Sequence, residues 1–412
     1  MRFILVIRIM PAKRILILTN RVPYPLNDGG NMATHAMVQG YQSQGWQVYL
    51  LSMNTSRHYL GGDVLSGLYK DIYKFETIEV NNDVSVFGAL KNLLFSSLPN
   101  HATRFQLPVF QSAILNAITS FSPDVIQVES VFMSGYIPAI RKATDALLSL
   151  RLHNIEWQVW QRMAEAVSNP VKKWYLNNLS GRIKVYEKQV WQAYDLLIPI
   201  TETDALVVRS SISPKQIQTT PFGININDVQ KSDNETWNGY HIGAMDWLPN
   251  QDAIEWFVNE VWPFIHKTVP EFNFYFAGRN MPDSFNAYNA DGMHCMGEVA
   301  DAKAFIADKK ILIVPLRSGG GIRVKILEAM ATEKLVISTS IGMQGIDAVP
   351  GIHYLLADTP LQFAETIKWA VDNKTDAGGI AQKAGLLIRD LYSSDHLARA
   401  LSDRLLNMLA DR

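Results

Sequence analysis

The chain has 412 residues, 48% of them hydrophobic and 19% charged, with a formal net charge of -1 and a single cysteine, Cys295. This composition excludes a disordered chain and leaves room for two domains of ordinary size. It also excludes an intramolecular disulfide and a cysteine-rich metal site, and it offers no basic domain for nucleic acid.

The first residues, MRFILVIRIMPAKRILILTN, carry an apolar run. Arg8 interrupts it and no small-residue cleavage site follows. Residues 1–10 are expected to be a poorly ordered extension, with Met10 as an alternative start. No later segment has about 18 consecutive apolar residues, so no transmembrane helix is expected. Strands are expected over 14–19, 46–53, 72–80, 124–129, 147–152 and 196–200, the first followed by Gly29 and Gly30 and a helix to about residue 44. Further helices are expected over 84–97, 107–121 and 156–194, the last broken at Asn169-Pro170, and a helix start at 201–204. Repeated strand–helix alternation implies parallel sheet with right-handed crossovers. Composition turns polar over 221–235, which marks a boundary. Alternation then restarts, with a strand over 240–245, a helix over 250–265 and a strand over 272–277. Leu397, Leu401, Leu405 and Leu409 give the last helix, 394–409, one apolar face. The expected architecture is α/β, two Rossmann-like domains with a ligand cleft at the carboxyl ends of their strands.

The stretch Pro315 to Ile346 carries the sharpest signal. An apolar strand over 311–316 leads into Ser318 and Gly319-Gly320-Gly321. A helix is expected from Ile322 to about Ala331, and a strand over 335–340 follows. Glycines let an anion approach the free N–H groups of a helix start. Arg323 and Lys325 fall in the first turn, where the helix dipole disfavours cations. They read either as a solvated basic pair or as part of an anion site.

Other candidates flank strand ends. Arg21 to Gly30 is not a dinucleotide fingerprint, yet Gly29 and Gly30 at a helix start suit a phosphate or sugar, or simply a turn. His153 lies just past a strand, on the side where α/β proteins bind ligands, and Glu129 ends the preceding strand on the same side. Glu298 precedes the helix before the 311–316 strand. Glu328 reads as a carboxylate for ribose hydroxyls or as a surface ion pair with Lys325. No Asp-x-Asp and no H-E-x-x-H occurs, so no metal site is expected.

Taken in order, Arg21-Val-Pro-Tyr-Pro…Gly29-Gly30, Leu152-His153-Asn154-Ile155-Glu156, Pro221-Phe-Gly-Ile-Asn225, Gly297-Glu298-Val299 and Pro315…Ser-Gly-Gly-Gly…Glu328-Ala-Met-Ala331 resemble a retaining GT-B glycosyltransferase of the large family four, the group 1 glycosyltransferases. The resemblance covers nearly the whole chain from Arg14 onward. It implies two Rossmann-like domains facing across a cleft and a C-terminal helix crossing back to the N-domain. The corresponding boundaries are an acceptor-side domain over 11–222, a linker over 223–236, a donor domain over 237–393 and the returning helix over 394–412. It also implies a nucleotide-diphosphate sugar as donor, no cofactor, and a glycan or glycolipid acceptor in cell-surface polysaccharide synthesis.

Glu328 matches the second glutamate of the family's Glu-x7-Glu motif, which holds the ribose. The first falls at position 320, where this chain has Gly320. Backbone N–H groups of Gly319 to Gly321 are expected to replace that carboxylate. The region Gly243 to Asn250 lacks the basic pair that many relatives carry there, so Arg323 and Lys325 are expected on the diphosphate. His153 is expected near the donor sugar. The rival readings are a non-hydrolysing nucleotide-sugar 2-epimerase and a non-catalytic nucleotide- or glycan-binding protein. Lys91 to Leu98 reads as a buried helix end or as a peripheral contact with the cytoplasmic membrane face, so the expected location is cytoplasmic, with or without membrane association.

Overall fold

The structure, a computed structural model, describes residues 12–412 apart from 27–28, 83–91, 93–95, 97, 166, 168, 214–215, 227–228, 230, 233–234, 290–291 and 320. The expected extension over 1–10, most of the expected helix over 84–97, most of the apolar stretch from Lys91, and Gly320 lie outside the described residues. The chain divides into two compact units. One runs to Pro221 and includes Leu397–Arg412; the other is Phe222–His396.

In the first unit β1 (Arg14–Thr19), β2 (Gln47–Thr55), β3 (Lys74–Val80), β4 (Val125–Val128), β5 (Leu147–Leu152) and β6 (Leu196–Pro199) form a sheet in the order β3-β2-β1-β4-β5-β6. Every pairing is parallel. The strands are apolar runs because both faces are covered: Ile15, Leu16, Ile17 and Leu18 are all buried. The longer helices are α1 (Gly29–Ser43), α2 (Pro108–Phe121), α3 (Glu156–Glu165), α4 (Pro170–Trp191) and α5 (Glu202–Ser211). The break between α3 and α4 is a capping event. Asn169 accepts from the Lys172 N–H at 3.0 Å, and Pro170 sits at the first helical position. Thr201 caps α5 in the same way.

In the second unit β7 (Thr236–Ile242), β8 (Phe274–Ala277), β9 (Met293–Cys295), β10 (Lys309–Val314), β11 (Leu335–Ser338) and β12 (Leu355–Leu356) are ordered β12-β11-β10-β7-β8-β9, again all parallel. Its helices include α6 (Leu248–Trp256), α7 (Trp262–Thr268), α8 (Val324–Ala331), α9 (Pro360–Asp372) and α10 (Lys374–Leu391). Each sheet therefore has the doubly wound order, and strand direction of travel reverses between β1 and β4 in one and between β7 and β10 in the other. Ligands bind such sheets at the carboxyl ends flanking the reversal.

Three of the departures from the expected elements stand out. β7 begins at Thr236 rather than at 240, because Glu235 is clamped by Lys310 at 2.6 Å and Lys334 at 2.5 Å, and the Thr236 N–H donates to the Asp308 carbonyl. The single helix expected over 250–265 is interrupted by a π turn, Phe257–Val261. The helix expected from Ile322 starts at Val324, with Arg323 as its N-cap.

The last helix, α11 (Ser394–Ala410), packs into the first unit from Leu397 on. Leu401 and Leu405 are fully buried in the cluster that holds Ile15, Val48 and Leu50. The Trp46 indole N–H donates to the Ser402 hydroxyl at 2.7 Å. Gly40 is required by this contact, since a Cβ there would lie 2.6 Å from the Ala398 Cβ. Among the described residues no helix is long and apolar enough to cross a membrane.

Candidate functional site

In the second unit, the chain leaves β10 through Pro315 and Leu316 into the glycine turn. Gly319 and Gly321 have φ of 118° and 79°, conformations open to glycine and strained for other residues. A Cβ at Gly319 would also sit 2.8 Å from the Trp247 ring. The turn is tied to its neighbours by side chains. Arg317 pairs with Asp252, and Thr339 at the end of β11 donates its hydroxyl to the Leu316 carbonyl. Arg323 is buried and donates to the carbonyls of Gly321 and Ile341, so it joins the glycine turn to the loop after β11. The helix N-terminus of α8 follows directly.

Lys325 points inward, not to solvent. Its ammonium reaches the His241 Nε2 at 3.2 Å, the Ile242 carbonyl at 3.1 Å and Asn250 Oδ1 at 3.4 Å. The His241 Nδ1–H donates to the Ile313 carbonyl at 2.9 Å, which leaves Nε2 as the acceptor for Lys325. Burial, and then the neighbouring Arg323 charge, pull the Lys325 ammonium down to about 7. Burial, and then Lys325, hold the His241 imidazole well below its usual range, so it is neutral. Gly243 completes the pocket floor: a Cβ there would meet Asn250 at 2.7 Å and Lys325 Nζ at 3.2 Å. Arg323 is buried and the ammonium of half-buried Lys325 is engaged by three protein groups, which discards the solvated-pair reading. Among the described residues no ion pair joins Lys325 to Glu328, so that alternative falls as well. Glu328 is exposed on α8, Ser318 is exposed at the turn, and Glu298 is exposed with its carboxylate accepting from the Asn280 N–H at 3.2 Å.

In the first unit the carboxyl ends of β1, β4 and β5 surround a cavity of about 500 Å³. His153 Nε2 lies 2.9 Å from Glu129 Oε2, so the two residues expected on the same side of the sheet also pair. Glu129 is 5% exposed and also accepts from Thr34 at 3.1 Å and Gln127 at 2.5 Å. Gln127 accepts in turn from the Tyr41 hydroxyl at 2.5 Å. Burial alone would raise the Glu129 carboxyl; His153, Arg151 and Gln127 together hold it below its ordinary value. Gly30, at the start of α1, lines the same cavity, whereas Gly29 begins the helix.

The turn residues Ser318, Gly319 and Gly321 thus converge with Arg323 and Lys325, and His153 with Glu129 and Gly30. Glu298 and Glu328 make no hydrogen bond or ion pair with Lys325 or Arg323. Sequence reading missed His241, Asn250 and Arg151. For Arg151 a signal was available: it is a charge inside the apolar strand Leu147–Leu152. For Asn250, a polar residue at a helix start looked unremarkable.

Known proteins resemble this chain at the level of the fold and of one stretch of sequence. Residues 239–373 match the family model "Glycosyl transferases group 1". A Klebsiella pneumoniae chain described as an uncharacterized 44.6 kDa protein in the cps region is 22% identical over 92% of this chain and 97% of its own length. Sucrose-phosphate synthase from Thermosynechococcus elongatus superposes with a TM-score of 0.67 at 14% identity, over 97% of this chain and 100% of that one. HepE of Anabaena, solved in complex with UDP-glucose, gives 0.64 at 12% identity, over 96% and 99%. The chain has the GT-B fold, and residues 239–373 match the glycosyl transferases group 1 model, which together support a glycosyltransferase.

Proposed function

We propose that this chain transfers a sugar, with retention at the anomeric carbon, from a nucleotide-diphosphate sugar to a hydroxyl of a glycan or lipid-linked acceptor in cell-surface polysaccharide synthesis. One observation carries the reading: a buried arginine and a half-buried lysine, its ammonium turned onto His241 and the Ile242 carbonyl, lie at a positive-φ glycine turn before a helix N-terminus, where the second sheet reverses strand order. Such a site suits a diphosphate. Charge builds on the leaving diphosphate in the transition state, and fixed N–H groups with held cations stabilise it without having to reorganise. In this reading a phosphate oxygen replaces Asn250, the longest of the three Lys325 contacts. Arg323 holds the turn and adds charge. Gly319 and Gly321 offer backbone N–H groups to the sugar, and Glu328 takes the ribose.

His153, oriented by Glu129, is proposed to meet the donor sugar. The cations here are side chains, so transfer is proposed to need no divalent ion. The cps-region setting of the Klebsiella relative supports the choice of polysaccharide synthesis. The HepE complex supports the choice of a nucleotide-sugar donor. Peripheral membrane contact by the stretch from Lys91 stays a proposal, tested by liposome flotation of wild type and Phe95→Asp.

The test is incubation of the full chain with a panel of nucleotide sugars in EDTA, with and without glycan and lipid-linked acceptors. Nucleotide diphosphate released only with acceptor is the expected result. Sugar epimerised without acceptor, or donor bound with no turnover on a broad acceptor panel, would refute transfer.

A further inference from the structure

The cavity of the first unit is unusually basic and carries polar atoms without partners. Arg21, Arg57, Arg104 and Arg151 line it, against the carboxylates Glu129 and Glu156. Arg151 is 2% exposed, yet among the described residues no carboxylate lies within ion-pair distance, and its Nε and Nη1 have no hydrogen-bond partner. Two further lining atoms share that condition: Thr55 Oγ1, on a side chain 2% exposed, and His101 Nδ1.

Buried N–H groups are nearly always paired, and a buried unpaired charge is costly. Glu129 does not discharge the cost. Its oxygens are taken by His153, Thr34 and Gln127. Burial lowers the Arg151 guanidinium and the neighbouring Glu129 only partly restores it. Burial and Arg104 bring the His101 imidazole down to about 4, so it enters the cavity neutral. A neutral ligand could pair single hydrogen bonds here, but only an anion satisfies the planar donor fork of Arg151 together with its charge.

We propose that this cavity seats an anionic group, a carboxylate or a phosphate, carried by the acceptor sugar, with Arg151 as its anchor and Thr55 and His101 beside it. The proposal rests on the glycosyltransferase reading for the word acceptor. The anion site itself does not, and the volume suits a mono- or disaccharide unit. The enzyme would then discriminate among acceptors by charge, rejecting a neutral sugar of the same shape because Arg151 would stay unpaired.

The experiment is titration calorimetry on the full chain, without donor, using glucuronate, glucose 6-phosphate and glucose as probes, repeated with Arg151→Met. The expected result is that one or both anionic probes bind about tenfold or more tighter than glucose. Arg151→Met should erase that preference while leaving the melting temperature equal or higher, since it removes an unpaired buried charge. Glucuronate alone responding assigns a uronic acid; glucose 6-phosphate alone assigns a sugar phosphate. The glycine turn of the second unit can also hold phosphate, but Arg151→Met leaves that turn intact. Anion binding that survives the substitution, equal affinity for all three probes, or no binding by any of them overturns the proposal. Failure of the transferase reading shows separately, as absent donor-dependent turnover.

Discussion

Lys325 is the residue on which the proposed donor site turns, and its surroundings make its behaviour measurable. Its ammonium titrates at about 7 because burial and Arg323 oppose its charge, while His241 stays neutral beside it. A diphosphate binds the charged form and raises that value, so binding takes up a proton. Donor affinity should therefore be level below pH 7 and fall by up to about tenfold per unit as pH rises above it. Calorimetry in buffers of different ionisation enthalpy reads the proton directly, and Lys325→Met should remove the slope along with roughly 10- to 100-fold of the affinity. At this scale the sequence was partly legible. Two cations placed against a helix dipole were visible as an anomaly, and so was a glycine triplet before them. The partner His241 was not, because a histidine in an apolar strand says nothing about which distant helix it meets. Arg151 was legible in principle, as a lone charge in Leu147–Leu152, but was not recognised.

Elements show the same division between local and distant causes. The break at Asn169-Pro170 and the Thr201 cap were readable because capping is a matter of neighbours in sequence. The start of α3 at residue 156 was readable, but its cap was not, since that cap comes from the neighbouring helix. Glu187 of α4, fully buried, accepts from the N–H groups of Glu156 and Trp157 at 3.1 and 2.9 Å. Burial pushes Glu187 up to about 8 and Glu156 to about 7. The folded chain then holds protons that the unfolded chain has lost, so stability should fall as pH rises from about 4.5 to 8. Urea unfolding across that range should show the decline, and Glu187→Gln should flatten it. Replacing Gly319 by alanine tests the glycine turn. Its φ of 118° and the approach to Trp247 at 2.8 Å predict a loss of about 1–2 kcal/mol of stability. Donor affinity should drop with it, while the near-ultraviolet signal of the first unit stays unchanged.

At the scale of the molecule there are two sheets of identical winding, and the last helix belongs with the first of them. Alternating strand and helix patterns made the first sheet legible and four strands of the second, whose short β9 and β12 were not read, and the leucine spacing of 394–409 showed a buried face. The packing partner of that face lay some 350 positions upstream, at Trp46, as the Ser402 contact shows. Leu401→Ala should cost about 2–5 kcal/mol in the first unit, seen as a lowered or split unfolding transition. Donor affinity, proposed to reside in the second unit, should remain at the wild-type value. The most direct test of the central claim is calorimetric titration of nucleotide-diphosphate sugars into the wild type and Lys325→Met at pH 7 in EDTA. At about 100 times Kd a true donor should also add about 2.7 kcal/mol of stability to the wild type. Binding by the wild type and marked weakening in Lys325→Met is the predicted result; no binding by any nucleotide sugar, or equal binding by both proteins, would contradict it.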